Sequence, residues 1–490
     1  VEDSILMYDS LPCPPGNIIG HMVYSQALTD TMNLYFPVDA GHYWWVGQSA
    51  SPVPCVGSGL VSIDPPDTTG SFVLGYFGGT SMFDPDEYVF IKNVNITMGL
   101  PDTQFVTTNA NTGAGSLRWA VEHVSHNGVV RCNLGQQDTI KLTESIEIYS
   151  GLTIDGGPNT TPISGNDSCT VFVIDGYDNT PTLQNLLITG GKGIDGGGIL
   201  CLGYSSLILN HVELSQNLAE RGAAICADYP WEYMNWISDI GNMRNMRLRN
   251  VLIRDNNASQ NGGGVYASNG RLDIETSIIA NNQAVQGAGG LSINHCPARI
   301  INSLITGNSS MAAGGISSTA YDSVSVINTT IADNHSASNA AGGLDFGYKD
   351  DFNGSLIRIE NTIFCGNYNT QGPASIGMST TNPLQATKVN LSHCNFPSGS
   401  TIGNLPVTVS SCIYSPPLFD SLSADHPYAL LPSSPCIDAG INPVDPDFPA
   451  TDIVGNKRIF DGDNNGEKVI DIGAYEFDPV WAGMNENPDW

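Results

Sequence analysis

The 490-residue sequence has few basic side chains. It contains 18 Lys and Arg against 48 Asp and Glu, which gives a formal charge of −30. Such a surface repels phosphate and anionic lipid, so the composition argues against a protein that binds nucleic acid or anionic membranes. It also disfavours anionic polysaccharides as ligands unless a local basic groove exists. Charged residues make up only 13% of the chain, about half of the usual share.

Long apolar runs are also missing. No stretch approaches the roughly 18 consecutive apolar residues of a membrane-spanning helix, while a hydrophobic content of 41% is too high for a disordered chain. The sequence begins at Val1 without a basic segment followed by an apolar one. We therefore expect a mature secreted protein whose signal peptide has been removed, although a trimmed chain would look the same.

A dominant repeat lies between residues 186 and 367. An apolar residue, two spacers and an asparagine recur, and the phrases end at Asn217, Asn256, Asn282, Asn308, Asn334 and Asn367. The spacings between these asparagines are 39, 26, 26, 26 and 33 residues. Amphipathic helices are disfavoured by so much Gly, Asn and Thr. We predict an all-β fold, a right-handed parallel β-helix with about 26 residues per coil.

Stacked coils assign a role to each repeated position. The apolar residues should form an inward stripe, from Ile188 and Leu214 to Phe364, and the asparagines a hydrogen-bonded ladder at a left-handed bend. A Gly or Ala doublet after each phrase, such as Gly263 with Gly264, should supply positive φ or a close backbone approach. The repeated asparagines are therefore expected to be structural and not a row of ligand-binding groups.

Several motifs carry a family resemblance. LTIDGG at 152–157, LITGG at 187–191 and GGGI at 196–199 resemble the polymorphic outer-membrane protein repeats of bacterial surface β-helices. GAGSLRWAV at 113–121 is similar to the opening motif of such domains. SPCIDAG at 434–440 and DIGAYE at 471–476 resemble the closing motif of the choice-of-anchor Q family of secreted right-handed β-helices. The resemblance implies the fold and surface export, and it implies almost nothing about activity.

These patterns divide the chain into three parts. Residues 1–103 lack the repeat and alternate apolar and polar residues between turn clusters, which predicts a β-sandwich-like domain. Residues 104–440 form the β-helix, with a short N-terminal capping helix at 116–126 that begins at Ser116 and buries Leu117, Ala120, Val121 and Val124. Residues 441–490 form a C-terminal capping segment.

An aromatic insertion interrupts the repeat at residues 228–250. It contains Tyr229, Trp231, Tyr233 and Trp236. Exposed, these rings would suit sugar stacking or a protein interface. Alternatively, the loop folds over its own coil and the rings cover the core. Both readings stay open.

An acidic segment near the C-terminus resembles the start of a calcium-binding loop. Its oxygen-bearing residues are Asp461, Asp463, Asn465, Glu467 and Asp471, with Gly466 at the sixth position. The twelfth position is Ile472 instead of Glu, and Asp471 would have to serve as the late ligand. The alternatives are a structural Ca²⁺ site, with no other cofactor required, and a polar turn.

The eleven cysteines include no C-x-x-C pair and no zinc-like spacing, so disulfides are favoured over metal binding. Candidate pairs are Cys13 with Cys55, Cys201 with Cys226, and Cys412 with Cys436. The odd number leaves at least one thiol free or paired between chains.

These inferences predict an extracellular or cell-surface protein that is structural or adhesive and non-catalytic. Its expected partners are further copies of itself in a filament or layer, a host or matrix surface, or neutral glycans, and not nucleic acid. The alternatives are a glycan-binding adhesin or a carbohydrate-active enzyme. A polysaccharide lyase needs basic residues that are scarce here, and a glycosidase needs two facing carboxylates, for which Asp345, Asp350 and Asp351 are candidates.

Overall fold

The computed structural model describes residues 100–478 except 136–137, 176–178, 203–204, 229–243, 320–322, 347–355, 379–387 and 398–406, together with six strands among residues 1–99. Contacts between Cα atoms divide the chain into two compact units. The first comprises Val1–Ile163, Phe172–Leu186 and Cys201–Ile208. The second comprises Ser164–Val171, Leu187–Leu200 and Leu209–Trp490.

The N-terminal strands are antiparallel. They are β1 (Asp3–Tyr8), β2 (Ile18–Tyr24), β3 (Gly41–Gln48), β4 (Gly57–Ile63), β5 (Thr69–Phe72) and β6 (Val94–Thr97). β1 to β4 form one sheet in the order β2-β1-β3-β4, and β5 pairs with β6. Antiparallel pairing agrees with the expected β-rich region, while the sandwich packing and the boundary at residue 103 stay predictions.

Within the described part of residues 100–478, one helix and 34 further strands follow. They are β7 (Thr103–Val106), α1 (Leu117–Glu122), β8 (Val129–Cys132), β9 (Ile140–Lys141), β10 (Ile146–Ile148), β11 (Thr153–Asp155), β12 (Thr161–Ser164), β13 (Phe172–Ile174), β14 (Thr182–Thr189), β15 (Ile199–Cys201), β16 (Leu207–Ser215), β17 (Leu218–Arg221), β18 (Ile225–Asp228), β19 (Asn245–Arg254), β20 (Asn257–Asn261), β21 (Val265–Ser268), β22 (Arg271–Glu275), β23 (Ile278–Ala280), β24 (Gln283–Ala284), β25 (Leu291–Asn294), β26 (Ala298–Ile301), β27 (Leu304–Thr306), β28 (Ser309–Ser310), β29 (Ile316–Thr319), β30 (Val324–Ile327), β31 (Thr330–Ala332), β32 (His335–Ser336), β33 (Leu344–Phe346), β34 (Leu356–Glu360), β35 (Ile363–Cys365), β36 (Tyr368–Asn369), β37 (Gly372–Pro373), β38 (Ile376–Met378), β39 (Lys388–Ser392) and β40 (Val407–Ser410).

The first unit contains α1 and the earliest parallel strands. β7 pairs in parallel with β8, and β8 pairs with β11. α1 contacts β7 and β8 through its apolar face, and the predicted residues of that face are 9% exposed or less. Ser116 is the N-cap, and its Oγ accepts a hydrogen bond from the Trp119 N–H at 3.2 Å, as predicted. The helix ends at Glu122, earlier than the expected residue 126, because His123 leaves the helical conformation.

The second unit is a parallel β-helix, which confirms the predicted fold class. One face stacks β18, β21, β25, β29, β33 and β38, and its register runs from Val265 to Leu291, Ile316, Leu344 and Ile376. A second face stacks β22, β26, β30, β34 and β39, continued after a bend by β23, β27, β31 and β35. The third face stacks β17, β20, β24, β28, β32 and β36.

The predicted apolar stripe is the core of this unit. All seven of its residues are 0% exposed: Ile188, Leu214, Ile253, Ile279, Ile305, Ile331 and Phe364. Near the C-terminal end, the Phe364 ring stacks on Phe396 with centroids 4.9 Å apart. A continuous dry stripe excludes water from the stack and supplies its main stabilising term.

The asparagine ladder is present. Asn308 Oδ1 accepts hydrogen bonds from the backbone N–H and the Nδ2 of Asn282, at 2.9 and 3.0 Å. Asn308 Nδ2 donates to the Ile279 carbonyl at 2.9 Å. The same pattern repeats along the column, in which every asparagine is at most 1% exposed. Each amide therefore joins two coils and satisfies buried backbone groups.

The left-handed residue at this bend is not the ladder asparagine. It is the residue before it, as at Gln216, Asp255, Asn281 and Asp333, where φ lies between 55° and 57°. The ladder asparagine is freed to point inward because its neighbour makes the turn. The Gly doublets serve by close approach: a Cβ at Gly263 would lie 2.3 Å from the Gln283 carbonyl oxygen. The positive φ falls on the preceding Gly262, at 67°.

The last part of the chain that the structure describes docks along the side of the coils. We define the closing segment as residues 413–478. Its Ile453, Ala474 and Tyr475 pack on Leu304, and its Leu430, Cys436 and Ile472 pack on Ile363. These contacts cover the outward face of β27 and β35, so both faces of these short strands are buried. The described residues of the predicted capping segment 441–490 therefore lie along the side of the coils, while the capping role and the boundary at residue 441 stay predictions.

Candidate functional site

The acidic loop of the closing segment is a candidate cation site. Carboxylate oxygens of Asp438, Asp461 and Asp463 all lie within 4.8 Å of one another, the one such group among the described residues. Asp438 Oδ1 is buried without a hydrogen-bond partner. Burial raises the pKa of Asp438, the hydrogen bond from the Asp463 backbone N–H opposes that shift, and the charge of Asp463 adds to it. A cation would neutralise this concentration of negative charge.

The loop places only some of the predicted ligands in this group. Asp461 and Asp463 belong to it. Asn465 adjoins it, since its backbone N–H donates to Asp461 Oδ1 and Asp463 Oδ1, both at 3.0 Å. Glu467 and Asp471 are outside the group, and Asp438, which the spacing argument missed, takes their place.

Asp471 is a buried residue that holds the backbone of the acidic loop through hydrogen bonds. Its side chain is 0% exposed. Asp471 Oδ1 accepts the Asp438 backbone N–H at 2.7 Å, and Oδ2 accepts the Phe477 N–H at 2.6 Å. Burial raises the pKa of Asp471 to about 7 despite these hydrogen bonds. The residue predicted as a late ligand thus positions the first ligand.

A buried arginine fastens the closing segment to the coils. Arg458 is 1% exposed, and its guanidinium donates to Asn302 Oδ1, the Gly473 carbonyl and Glu476 Oε2. Burial raises the pKa of Glu476, while the Arg458 charge opposes that shift. The pKa of Asp452 is likewise raised by burial.

The docking partners on the coils are a second set of asparagines. Asn302, Asn328 and Asn361 sit at the bend before β27, β31 and β35, with φ of 54°, 44° and 49°. Asn328 Nδ2 donates to the Asp471 carbonyl, and Asn361 Oδ1 accepts the Ile441 N–H, both at 2.9 Å. Left-handed bends turn these amides outward, where the closing segment completes their hydrogen bonds.

A charged cluster lies next to the aromatic insertion in sequence. Arg221 makes a bidentate ion pair with Asp195 at 2.7 and 2.8 Å and a third contact with Asp228 at 2.6 Å. Its guanidinium carbon lies 5.1 Å from the Tyr266 ring centroid. The hydrogen bond that Arg221 donates to Asp195 is the main cause that raises the pKa of Arg221. The side chains of all three charged residues are 28–33% exposed.

The other predicted site residues divide into two groups. The first group lies outside the described residues and consists of Tyr229, Trp231, Tyr233, Trp236, Cys13, Cys55, Asp350 and Asp351. Asp345, considered as a glycosidase carboxylate, is only 4% exposed in β33 and accepts the Ala341 N–H at 3.1 Å.

The predicted disulfides within the described residues do not form, and the nine described cysteines carry thiols. Cys201 and Cys226 are 25 residues apart, one short of the coil period, so the spacing does not give them equivalent positions in the repeat. Cys412 lies beside Cys394, whose backbone N–H donates to Cys412 Sγ at 3.4 Å. Cys436 is instead buried in a cluster that includes Cys365. Neither bridge was correctly predicted.

These features define a parallel β-helix protein with a laterally docked closing segment. No protein-family model and no curated protein matches the chain. The described helix is too short to cross a membrane.

Proposed function

We propose that this protein is an extracellular or cell-surface scaffold, structural or adhesive and non-catalytic, that associates with further copies of itself. The supporting observation is that the polar residues of the repeat are used inside the molecule. The ladder asparagines bond to neighbouring coils, and Asn302, Asn328 and Asn361 bond to neighbouring coils and the closing segment. A repeat whose polar groups bond to one another serves a structural role. Binding of a partner then depends on residues that vary between coils.

We also propose kinship with secreted β-helices of the choice-of-anchor Q and polymorphic-repeat types. The two closing motifs pair with each other: the Ile472 N–H donates to the Cys436 carbonyl at 3.0 Å, and the Gly440 N–H donates to the Ile470 carbonyl at 2.9 Å. The two motifs are distant in sequence but pair in the structure. This pairing supports a common origin of the closing segment and the corresponding segment of those families.

An apolar spot on the third face supports self-association. Val285 and Met311 are 47% and 61% exposed. They follow Ala284 and Ser310, which are register partners on adjacent coils, so the two side chains are neighbours. An exposed apolar pair is a favourable contact for a second copy.

Analytical ultracentrifugation and electron microscopy over a concentration series, with and without Ca²⁺, test this proposal. Wild-type protein should form concentration-dependent assemblies, and Val285→Glu with Met311→Glu should weaken them about tenfold or more. Ser259→Glu is the matched control, because Ser259 precedes Val285 by one 26-residue period and is exposed but polar. Wild-type protein that stays monomeric under all conditions would contradict self-association.

We propose Ca²⁺ as a structural ion at Asp438, Asp461 and Asp463. Calcium should raise the melting temperature of the wild-type protein by several degrees, and Asp463→Asn should remove most of that shift. Asp447→Asn, in an exposed part of the same segment, is the control. An equal response of both variants, or the same effect of Mg²⁺, would indicate general charge screening instead.

Glycan binding, with or without cleavage, is the second candidate. Its support is the Arg221 cluster, in which two part-exposed carboxylates and Tyr266 lie together and one of the carboxylates, Asp228, ends the strand that precedes the aromatic insertion in sequence. A glycan array probed with wild-type protein, Trp231→Ala and Trp236→Ala tests binding. Reducing-end and unsaturated-product assays on neutral and acidic polysaccharides test cleavage. Unchanged array signals in both variants would exclude the insertion as the binding site.

A further inference from the structure

A column of hydroxyl groups lies at the bend before β23, β27, β31 and β35. Its members are Ser277, Ser303, Thr329 and Thr362. Each hydroxyl donates to the carbonyl two residues earlier, at 2.7–3.0 Å. The Ser277 backbone N–H also donates to Ser303 Oγ at 3.2 Å, which links neighbouring coils.

Two cysteines continue this column. The bridges from Ile363 to Asn395 and from Asn395 to Ile413 place Cys394 next to Thr362, and Cys412 next to Cys394. Both thiols keep the local geometry of the column, donating to the Ser392 and Ser410 carbonyls at 3.3 and 3.4 Å. The Cys394 N–H donates to Cys412 Sγ just as Ser277 donates to Ser303.

This placement suits a disulfide. Equivalent residues on adjacent parallel strands are about 4.8 Å apart, and disulfides require Cα atoms about 4.4–6.8 Å apart with side chains on the same side. Cys394 and Cys412 meet both conditions because they occupy the same position on successive coils. The register of β39 and β40, with Ser392 opposite Ser410, fixes that alignment.

We propose that Cys394 and Cys412 are a thiol–disulfide site that locks the last two described coils together. The co-reactant is a low-molecular-weight disulfide such as oxidised glutathione. The Cys412 thiolate, whose proton has passed to solvent, attacks one sulfur of that disulfide, and the other sulfur leaves as a small thiolate. Cys394 transfers its proton to that thiolate and attacks Cys412 Sγ, and the second small thiolate leaves and takes a proton from solvent. Two protein thiols are oxidised, and one small disulfide is reduced to two thiols.

The environment sets this order of events. Cys412 is partly exposed, whereas Cys394 is 0% exposed. The hydrogen bond from Cys394 lowers the pKa of Cys412, and burial raises the pKa of Cys394. The accessible sulfur is therefore the better nucleophile, and the buried sulfur can react only with a partner already bonded to its neighbour.

The experiment treats the folded, fully reduced protein with oxidised glutathione, alkylates the remaining thiols under denaturing conditions, and maps the peptides by mass spectrometry. A linked pair of peptides carrying Cys394 and Cys412 is expected. Exchange of the backbone amides in β40 should slow about tenfold or more relative to the reduced protein, because the bond removes the local opening of that coil.

The control variants use residues that the column already accepts. Cys394→Thr should retain glutathione as a mixed disulfide on Cys412, because the resolving thiol is missing. Cys412→Ser should leave Cys394 unreacted, because it is buried. Circular dichroism confirms that both variants are folded. Linkage of Cys412 to another cysteine, or a stable mixed disulfide on Cys412 of the wild-type protein, would overturn the proposal.

Discussion

At the scale of single residues, the bends carry the most information. At each bend of the ladder a residue with left-handed backbone precedes a residue whose side chain points inward and bonds to a neighbouring coil. Asn281 is the left-handed residue, and Asn282 is the inward one that bonds to Asn308. The ladder position was predictable because only a short amide can satisfy buried backbone groups at that spacing. The left-handed neighbour was not, because Gln, Asp, Asn and Gly all occupy it.

Replacement of one ladder residue tests this assignment. Asn308→Ala removes the acceptor of the Asn282 backbone N–H and of one Asn282 side-chain N–H, and it removes the amide that donates to the Ile279 carbonyl. These losses in a dry core should lower the free energy of unfolding by about 4 kcal/mol. Urea denaturation measures the change. Asn257→Ala, an exposed position on β20, should change it by about 0.5 kcal/mol or less. Equal effects would mean that the ladder contributes little.

Asp471 predicts an unusual pH dependence. Its pKa is raised from 3.8 to about 7 by burial, so the folded state binds more protons than the unfolded state between these values. The contribution of Asp471 to stability should therefore fall as pH rises from about 4 to about 7 and level off above, a total of about 4 kcal/mol, while Glu476, whose pKa burial raises to about 9, continues to lower stability above pH 7.

Urea denaturation between pH 4 and pH 8 checks this sign. Asp471→Asn should flatten the profile relative to the wild-type protein, because the titrating group is gone. Since the net charge of the whole protein also changes with pH, the difference between the two profiles is the relevant quantity. A wild-type profile that rises toward pH 7 in parallel with that of the variant would contradict the assignment.

At the scale of elements, the closing segment has its own sequence signal. The short strands that it covers carry adjacent apolar residues, Leu304 with Ile305 and Ile363 with Phe364, where a strand with one wet face would alternate. The pattern indicates that something covers the outer face. It does not identify the cover, because the closing segment is about 150 residues away from Asn302 along the chain.

Arg458 is expected to control docking of this segment. Arg458→Met leaves Asn302 Oδ1 and the Gly473 carbonyl without the guanidinium donor. It also leaves Glu476 buried without its cationic partner, and the sum should cost about 3–5 kcal/mol. Hydrogen exchange should then accelerate in residues 451–477 and in β27, with little change in β21.

Two further variants separate docking from charge. Arg358→Met removes an arginine whose side chain is 51% exposed and paired with Glu360, and it should change exchange very little. Adding Glu476→Gln to Arg458→Met should recover part of the loss, because the buried acid is gone. Uniform acceleration over all coils in Arg458→Met would show that the closing segment does not open separately.

At the scale of the whole molecule, negative charge is the dominant electrostatic property. A net charge of −30 creates self-repulsion that salt screens, since the Debye length falls from about 30 Å at 0.01 M to about 8 Å at 0.15 M. We therefore expect the melting temperature to rise by several degrees between these concentrations of NaCl. Choline chloride should act similarly, which separates screening from ion binding. A fall with salt would mean that ion pairs such as Arg254 with Glu213 outweigh the repulsion.

The sequence by itself determined the coil. Its period, the inward apolar column and the Asn ladder follow from local rules that repeat about every 26 residues, since each coil contacts mainly its neighbours. Recurrence would also have revealed the hydroxyl column, because Ser277, Ser303 and Thr329 share the same spacing. The column is a second position of the same repeat.

Only the tertiary structure decided the contacts that break the period. Three contacts depend on where a non-repeating part of the chain returns to the coils. Asp438 takes the place of the predicted Asp471 in the acidic group, Arg458 docks on Asn302, and Cys412 lies beside Cys394. Cys394 and Cys412 are 18 residues apart, not 26, so the spacing alone could not align them. Strand register aligned them, because hydrogen bonding between coils fixes which side chains meet whatever the length of the connecting loop.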